Sequence, residues 1–131
     1  MIADQVRRLI ENLYYVFVAT SDQSGQPHMA IGGQITIQGS SLLIFENWFC
    51  PSTLENISVN SHISVVAVRP ETGKGYQLLG SIVTRTHESI PDVFEPVVHA
   101  SEPRVLTRFT VKVEKVLEFT SGIHSDLPIG H

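Results

Sequence analysis

The sequence predicts a mainly β fold, an antiparallel barrel with short helical covers. Three observations carry this. Six runs rich in β-branched and aromatic residues are spread along the chain. Tight-turn residues join most of them. No strand–helix–strand rhythm of the kind that builds a parallel sheet occurs. At 131 residues the chain is sized for one domain, 1–131, and can bury a core without metal or disulfide help.

The elements follow in order. Ile2, Val6, Leu9, Ile10 and Leu13 recur at helical spacing and predict a helix over about residues 2–13. Tyr14 to Thr20 is aromatic and β-branched and reads as a strand. Ser21 to Gln26 is a turn cluster, and Pro27 can open the next strand. From His28 to Gln38 the alternation is strict, which predicts one continuous half-buried strand. Met29, Ile31, Gly33, Ile35 and Ile37 share one face; Ala30 and Gly32 belong to the other. The pair Gly32-Gly33 weakens the strand there and marks a bulge or a close approach to the backbone. Gly39-Ser40 makes a hairpin into Leu42 to Phe45.

Cys50 to Asn60 is short, polar and helical in pattern. Ser52 and Glu55 have capping-box spacing, which would start the helix at Ser52. A helix start leaves N–H groups unpaired and can hold a phosphate; an ordinary capped connector is the other reading. Ile63 to Val68 is a strand, closed by Pro70, Gly73 and Gly75. Gly75 to His87 has apolar residues on both faces and reads as a central strand. Ile90 to Ala100 has helical spacing at Val93, Phe94, Val97 and Val98, with Pro96 forcing a kink or a start. Val105 to Phe119 alternates, with Val105, Thr107, Phe109, Val111, Val113, Leu117 and Phe119 on one side. The tail from about residue 120, with Pro128 and Gly130, should be loose unless a partner holds it.

Composition excludes several classes of function. Net charge is −4 with no basic run, which argues against nucleic acid as a partner. No stretch of about 18 apolar residues is present to span a membrane. The N-terminus has no signal-peptide pattern, so a cytoplasmic location is expected. The single Cys50 forms no internal disulfide and reads as a small core thiol. No histidines are spaced for a metal site, and none is expected. There is no nucleophile elbow, and Gly73-Lys74-Gly75 is too short for a phosphate-binding loop. No catalytic acid or base stands out. Trp48 and Phe49 read equally as a stacking wall or as core.

Three motifs in order resemble the pyridoxamine 5′-phosphate oxidase-like FMN-binding split barrels. The first is Tyr15 to Thr20 followed by Asp22 and Gly25-Gln26-Pro27. The second is Ser52-Thr53-Leu54-Glu55-Asn56-Ile57 with Asn60 and the strand after it. The third is Gly75-Tyr76-Gln77-Leu78-Leu79-Gly80. The likeness runs over about residues 5 to 118. It implies a six-stranded antiparallel Greek-key split barrel and a homodimer with FMN at each end of its interface. It implies that the flavin ring lies along Ala30, Ile31 and Gly32, near Asn47 and Trp48, with Gln77 also on the cofactor. It places the phosphate at Ser52 and Thr53. The implied function is an oxidoreductase or electron carrier acting through FMN on a small-molecule substrate or redox partner. A non-enzymatic flavin- or haem-binding module of the same fold is the alternative. Pyridoxamine phosphate oxidation itself is disfavoured by the short chain and the lack of a basic cluster.

One departure matters. Where the family has a phosphate lysine this chain has Ser52, which removes a charge-assisted contact of about 1.5–3 kcal/mol. Either another cation substitutes, with Arg69, Lys74, Arg104 and Arg108 as candidates, or FMN binds weakly. Two expectations follow from the implied site. Gly32→Val should leave the cofactor-free protein as stable as before, or slightly more so, since Val suits a strand, and weaken FMN binding tenfold or more, about 1.4 kcal/mol; if Gly32 is only a bulge with positive φ, Val destabilises the fold itself. Thr53→Glu should abolish FMN binding with the fold retained.

Overall fold

The structure, a computed structural model, describes residues 2–33, 35–90, 104–122 and 128–129, with backbone only at 87–90 and 104–106. Helix α1 (Asp4–Glu11) buries Val6, Leu9 and Ile10 and carries Asp4 in its first turn and Arg8 in its last, which suits the helix dipole. Strand β1 (Val16–Ser21) begins two residues later than expected, leaving Tyr14 96% exposed. The turn after β1 is built on Asp22. One carboxylate oxygen accepts the amides of Ser24 and Gln26 at 2.9 and 2.8 Å, and the Ser24 hydroxyl at 2.8 Å. The Gln26 amide, then the Ser24 hydroxyl, hold this carboxyl below its ordinary value.

The strand expected over His28 to Gln38 is two strands, β2 (Pro27–Gly32) and β3 (Ile35–Gln38). The face presented inward changes between them. In β2, Gly32 is buried, His28 and Ala30 are half-buried, and Met29 and Ile31 are exposed. In β3, Ile35 and Ile37 turn inward and Thr36 and Gln38 outward. Met29 and Ile31 therefore do not share a face with Ile35 and Ile37. Strand β4 (Leu42–Trp48) contains a bulge between Phe45 and Trp48, with Asn47 at φ 54°. Residues three apart on a regular strand face opposite ways. The bulge lets Phe45 and Trp48 both enter the core.

Helix α2 (Pro51–Val59) leads to β5 (His62–Arg69), β6 (Lys74–Ile90) and β7 (Arg104–Thr120). Among the described residues all pairings are antiparallel, and seven strands, one more than expected, form a sheet ordered β2-β1-β5-β6-β7-β4-β3. β2 and β3 are neighbours in sequence yet opposite edges of the sheet. The two ends meet where Trp48, beside the β3 edge, packs on Gly32 at the end of β2. This contact curls the sheet toward a barrel. Phe45 and Phe109 stack at 4.9 Å in the interior, and Trp48 meets both edge-on at 5.7 and 5.3 Å.

β7 does not keep one face throughout. Gly80 pairs with Val113 and Leu79 with Lys115, so Glu114 is an extra residue in β7. Val113 and Val116 are both buried as a result, and Phe119 is 39% exposed instead of sharing the Val113 face. The tail is tied in part by the chain itself. Pro128 bridges Leu117, and the Ile129 amide donates to the Val116 carbonyl at 2.8 Å. The helix expected up to Ala100 lies outside the described residues, apart from Ile90, which ends β6. Among the described residues no helix is long and apolar enough to cross a membrane.

Candidate functional site

The end of β2, the end of β4 and the start of α2 converge on a groove of about 730 Å³. Ile31, Gly32 and Gly33 form one side, and Glu46, Asn47, Trp48, Phe49 and Cys50 the other. Trp48 is core and groove lining at once. Its body is buried, and its indole N–H is buried with no partner among the described residues. Phe49 stands 60% exposed as a wall. Glu46 is paired with Arg108 at 3.2 Å, both side chains being well exposed. Cys50 is half-buried at the groove, packed on the core from outside rather than within it.

Cys50 also caps α2, which corrects the expected capping box. Pro51 is the first helical residue, as its fixed φ and missing N–H favour. Ser52 is thus already inside the helix and makes no side-chain cap. The first helical bond runs from the Leu54 amide to the Cys50 carbonyl at 3.2 Å. The amides of Ser52 and Thr53 precede it and fall among the unpaired donors of a helix start. The Ser52 side chain is exposed; Thr53 is fully buried, and its hydroxyl has no partner among the described residues. The helix is anchored by Asn56, whose amide group donates to the Thr20 hydroxyl at 3.1 Å, and by Asn60, which donates to Ser21 at 2.9 Å.

Of the residues singled out in the sequence, Ile31, Gly32, Asn47 and Trp48 line one groove. Ser52 and Thr53 follow at the helix that starts from it. Ala30 packs against the core and does not line the groove. Gln77 does not line it either: it donates to the Ser64 hydroxyl at 2.8 Å across β5 and β6. The small size of Gly32 has a reason other than a flat ring. A Cβ there would meet the Trp48 ring at 2.2 Å. The expectation that Gly32→Val spares the cofactor-free protein is therefore wrong. The expectation for Thr53→Glu fails too, because a carboxylate at that fully buried position would disrupt the fold.

The candidate cations fare differently. Arg69 and Lys74 pair at the β5–β6 hairpin, the opposite end of β6 from α2. Arg108 is held by Glu46. The Arg104 side chain lies outside the described residues. Sequence reasoning missed Arg85 of β6. One guanidinium nitrogen of Arg85 donates to the Leu54 carbonyl of α2 at 3.0 Å, and its Nε is buried without a partner among the described residues. The available signal was a charge on β6 two residues after Val83, in a run of otherwise neutral residues.

The sequence profile of the family described as pyridoxamine 5′-phosphate oxidase matches residues 2–117. The chain belongs to this family. Solved structures agree in fold. HupZ of Group A Streptococcus is 22% identical, with a TM-score of 0.68 over 95% of this chain and 99% of that one. An FMN-binding protein from Syntrophomonas wolfei is 13% identical, with a TM-score of 0.66 over 92% and 91%. HutZ, the haem storage protein from Vibrio cholerae, is 10% identical, with a TM-score of 0.59 over 90% and 94%. No curated protein sequence matches the chain. These likenesses establish the split-barrel class and carry no ligand over to this chain.

Proposed function

We propose that this chain is an FMN-binding flavoprotein acting as an oxidoreductase or electron carrier. The observation that carries the reading is one groove leading to a helix start, with two buried polar atoms that have no partner among the described residues, one in the groove lining and one in the first turn of α2. These atoms are the Trp48 indole N–H and the Thr53 hydroxyl. Buried polar groups are normally hydrogen-bonded, and an exception calls for a missing partner. FMN is a flat ring joined through a polar chain to a phosphate, and the residues present fit that shape. Ile31, Gly32, Asn47, Trp48 and Phe49 would flank the ring. Ser52 and the Ser52 and Thr53 amides would hold the phosphate. When bound, the flavin supplies hydride or electron transfer. The chain binds it, fixes its orientation and keeps water from the Trp48 side.

A homodimer belongs to the same reading. Ile31, Phe17, Val66 and Gln77 align across β2, β1, β5 and β6, and Met29, Ala19, Ser64 and Leu79 form the next row. Val16, Val18 and Val65 alternate with these rows and fill the core, so the rows face outward. Such a face suits a second copy. Ile31 belongs to both face and groove, so a partner seated there would close over the groove. Purified protein should be yellow, or should quench FMN fluorescence on titration. Protein that neither carries nor takes up FMN would refute the reading, and a Soret band would replace it with haem binding. Turnover of a reduced nicotinamide separates enzyme from binder.

A further inference from the structure

We propose that Arg85 is the cation of the phosphate site, supplying the charge that Ser52 lacks. The proposal rests on the FMN reading above. Arg85 stands opposite Phe109 in the β6–β7 ladder, and Phe109 packs edge-on with the Trp48 ring, their centroids 5.3 Å apart. From there its guanidinium reaches the Leu54 carbonyl in the first turn of α2. One side chain thus spans from behind the groove to the helix start. Two buried polar atoms near this contact lack partners among the described residues: Arg85 Nε and, one residue before Leu54, the Thr53 hydroxyl. They lie on different elements, β6 and α2.

A guanidinium carries five donors and is always charged. Among the described residues Arg85 has no carboxylate paired with it, and its one bond shown goes to a neutral carbonyl. A half-buried cation in that state favours an anion, and a phosphate matches its fork geometry. Arg108 already has Glu46, and Arg69 and Lys74 are at the wrong end of β6. The amides of Ser52 and Thr53 would supply neutral donors to the phosphate, and Arg85, on leaving the Leu54 carbonyl, would supply the charge.

The test compares FMN with riboflavin, which lacks the phosphate, by fluorescence titration of wild type, Arg85→Gln and Arg85→Lys. Melting in inorganic phosphate is followed alongside. Wild type should bind FMN at least tenfold more tightly than riboflavin. Arg85→Gln should lose tenfold or more in FMN affinity with riboflavin affinity unchanged, and Arg85→Lys should recover part of the loss. Phosphate should raise the melting point of wild type but not of Arg85→Gln. Equal loss of both flavins in Arg85→Gln would make Arg85 a mere tether for α2 and overturn the proposal. Unchanged FMN affinity would overturn it too. Both of those results leave the FMN reading standing. Wild type that binds neither flavin but shows the Arg85-dependent phosphate effect keeps the anion site and refutes the FMN reading. Wild type indifferent to flavins and phosphate alike refutes both.

Discussion

The space where Gly32 has no side chain is filled by the indole of Trp48. An added methyl would lie 2.2 Å from a ring carbon, and the ring is wedged against Phe45 and Phe109. Gly32→Ala should therefore destabilise the fold by about 1–3 kcal/mol, the usual cost of overpacking. Trp48→Leu in the same chain should make the added methyl tolerable. A thermal melt of Gly32→Ala equal to wild type would show that the indole moves aside freely. The Gly32-Gly33 pair was legible in the sequence as a special place. Its reason was not, because Trp48 reaches Gly32 across the two sheet edges and through a bulge that no spacing rule announces. At Ser52 exposure decides the experiment. The side chain is exposed and inside the first turn of α2, where an acid suits the helix dipole. Ser52→Glu should keep the melting point and lower FMN affinity more than tenfold by like-charge repulsion, with riboflavin much less affected. Equal FMN affinity would move the phosphate away from α2.

Turns and bulges decide how the elements are framed. The Asp22 turn was readable from composition, since Asp, Ser and Gly supply its hydrogen bonds locally. The bulge at Glu114 was not, because an extra residue shows only against a partner strand, here β6. For the same reason the inward face of β7 was legible from Thr107 to Val113 and misread beyond it. The break between β2 and β3 fell where two glycines stood, but the change of face across it depends on two strands that end up on opposite edges. The Asp22 turn carries a pH signature. Its carboxyl is held below the ordinary value of 3.8 by the Gln26 amide first and then by Ser24. A depressed folded-state value gives stability that is fully present above the unfolded value and is lost as pH falls through the folded one. Asp22→Asn should therefore melt below wild type near neutral pH, by a small amount because the turn is exposed. The gap should narrow below about pH 3.8. A gap that holds constant into acid would mean the carboxylate charge does nothing for the turn.

Across the whole molecule, strands were easier to read than their arrangement. Each strand is written in its own residues, whereas the order β2-β1-β5-β6-β7-β4-β3 depends on pairs far apart in the chain. The candidate site inherits that division. Groove and helix start were legible because they lie within one stretch, Ile31 to Thr53. Arg85 was not, because only the β6–β7 ladder and α2 packing bring it there. The outer face of β2 and its neighbours is a property of the fold alone, and it bears on assembly. Met29 and Ile31 are 63% and 62% exposed. Stable interfaces bury on the order of 1,200–2,000 Å² with an apolar centre. The proposed dimer predicts about twice the 14.5 kDa chain mass by light scattering at micromolar concentration. Met29→Asp should place an unpaired charge at that centre and yield the monomer. Because Met29 contributes little to the core, the monomer should still melt cooperatively. It should also bind FMN more weakly, since the groove beside Ile31 would lose its cover. Wild type running as a monomer would reject the dimer; a monomeric Met29→Asp with undiminished FMN affinity would show that each chain holds its flavin alone.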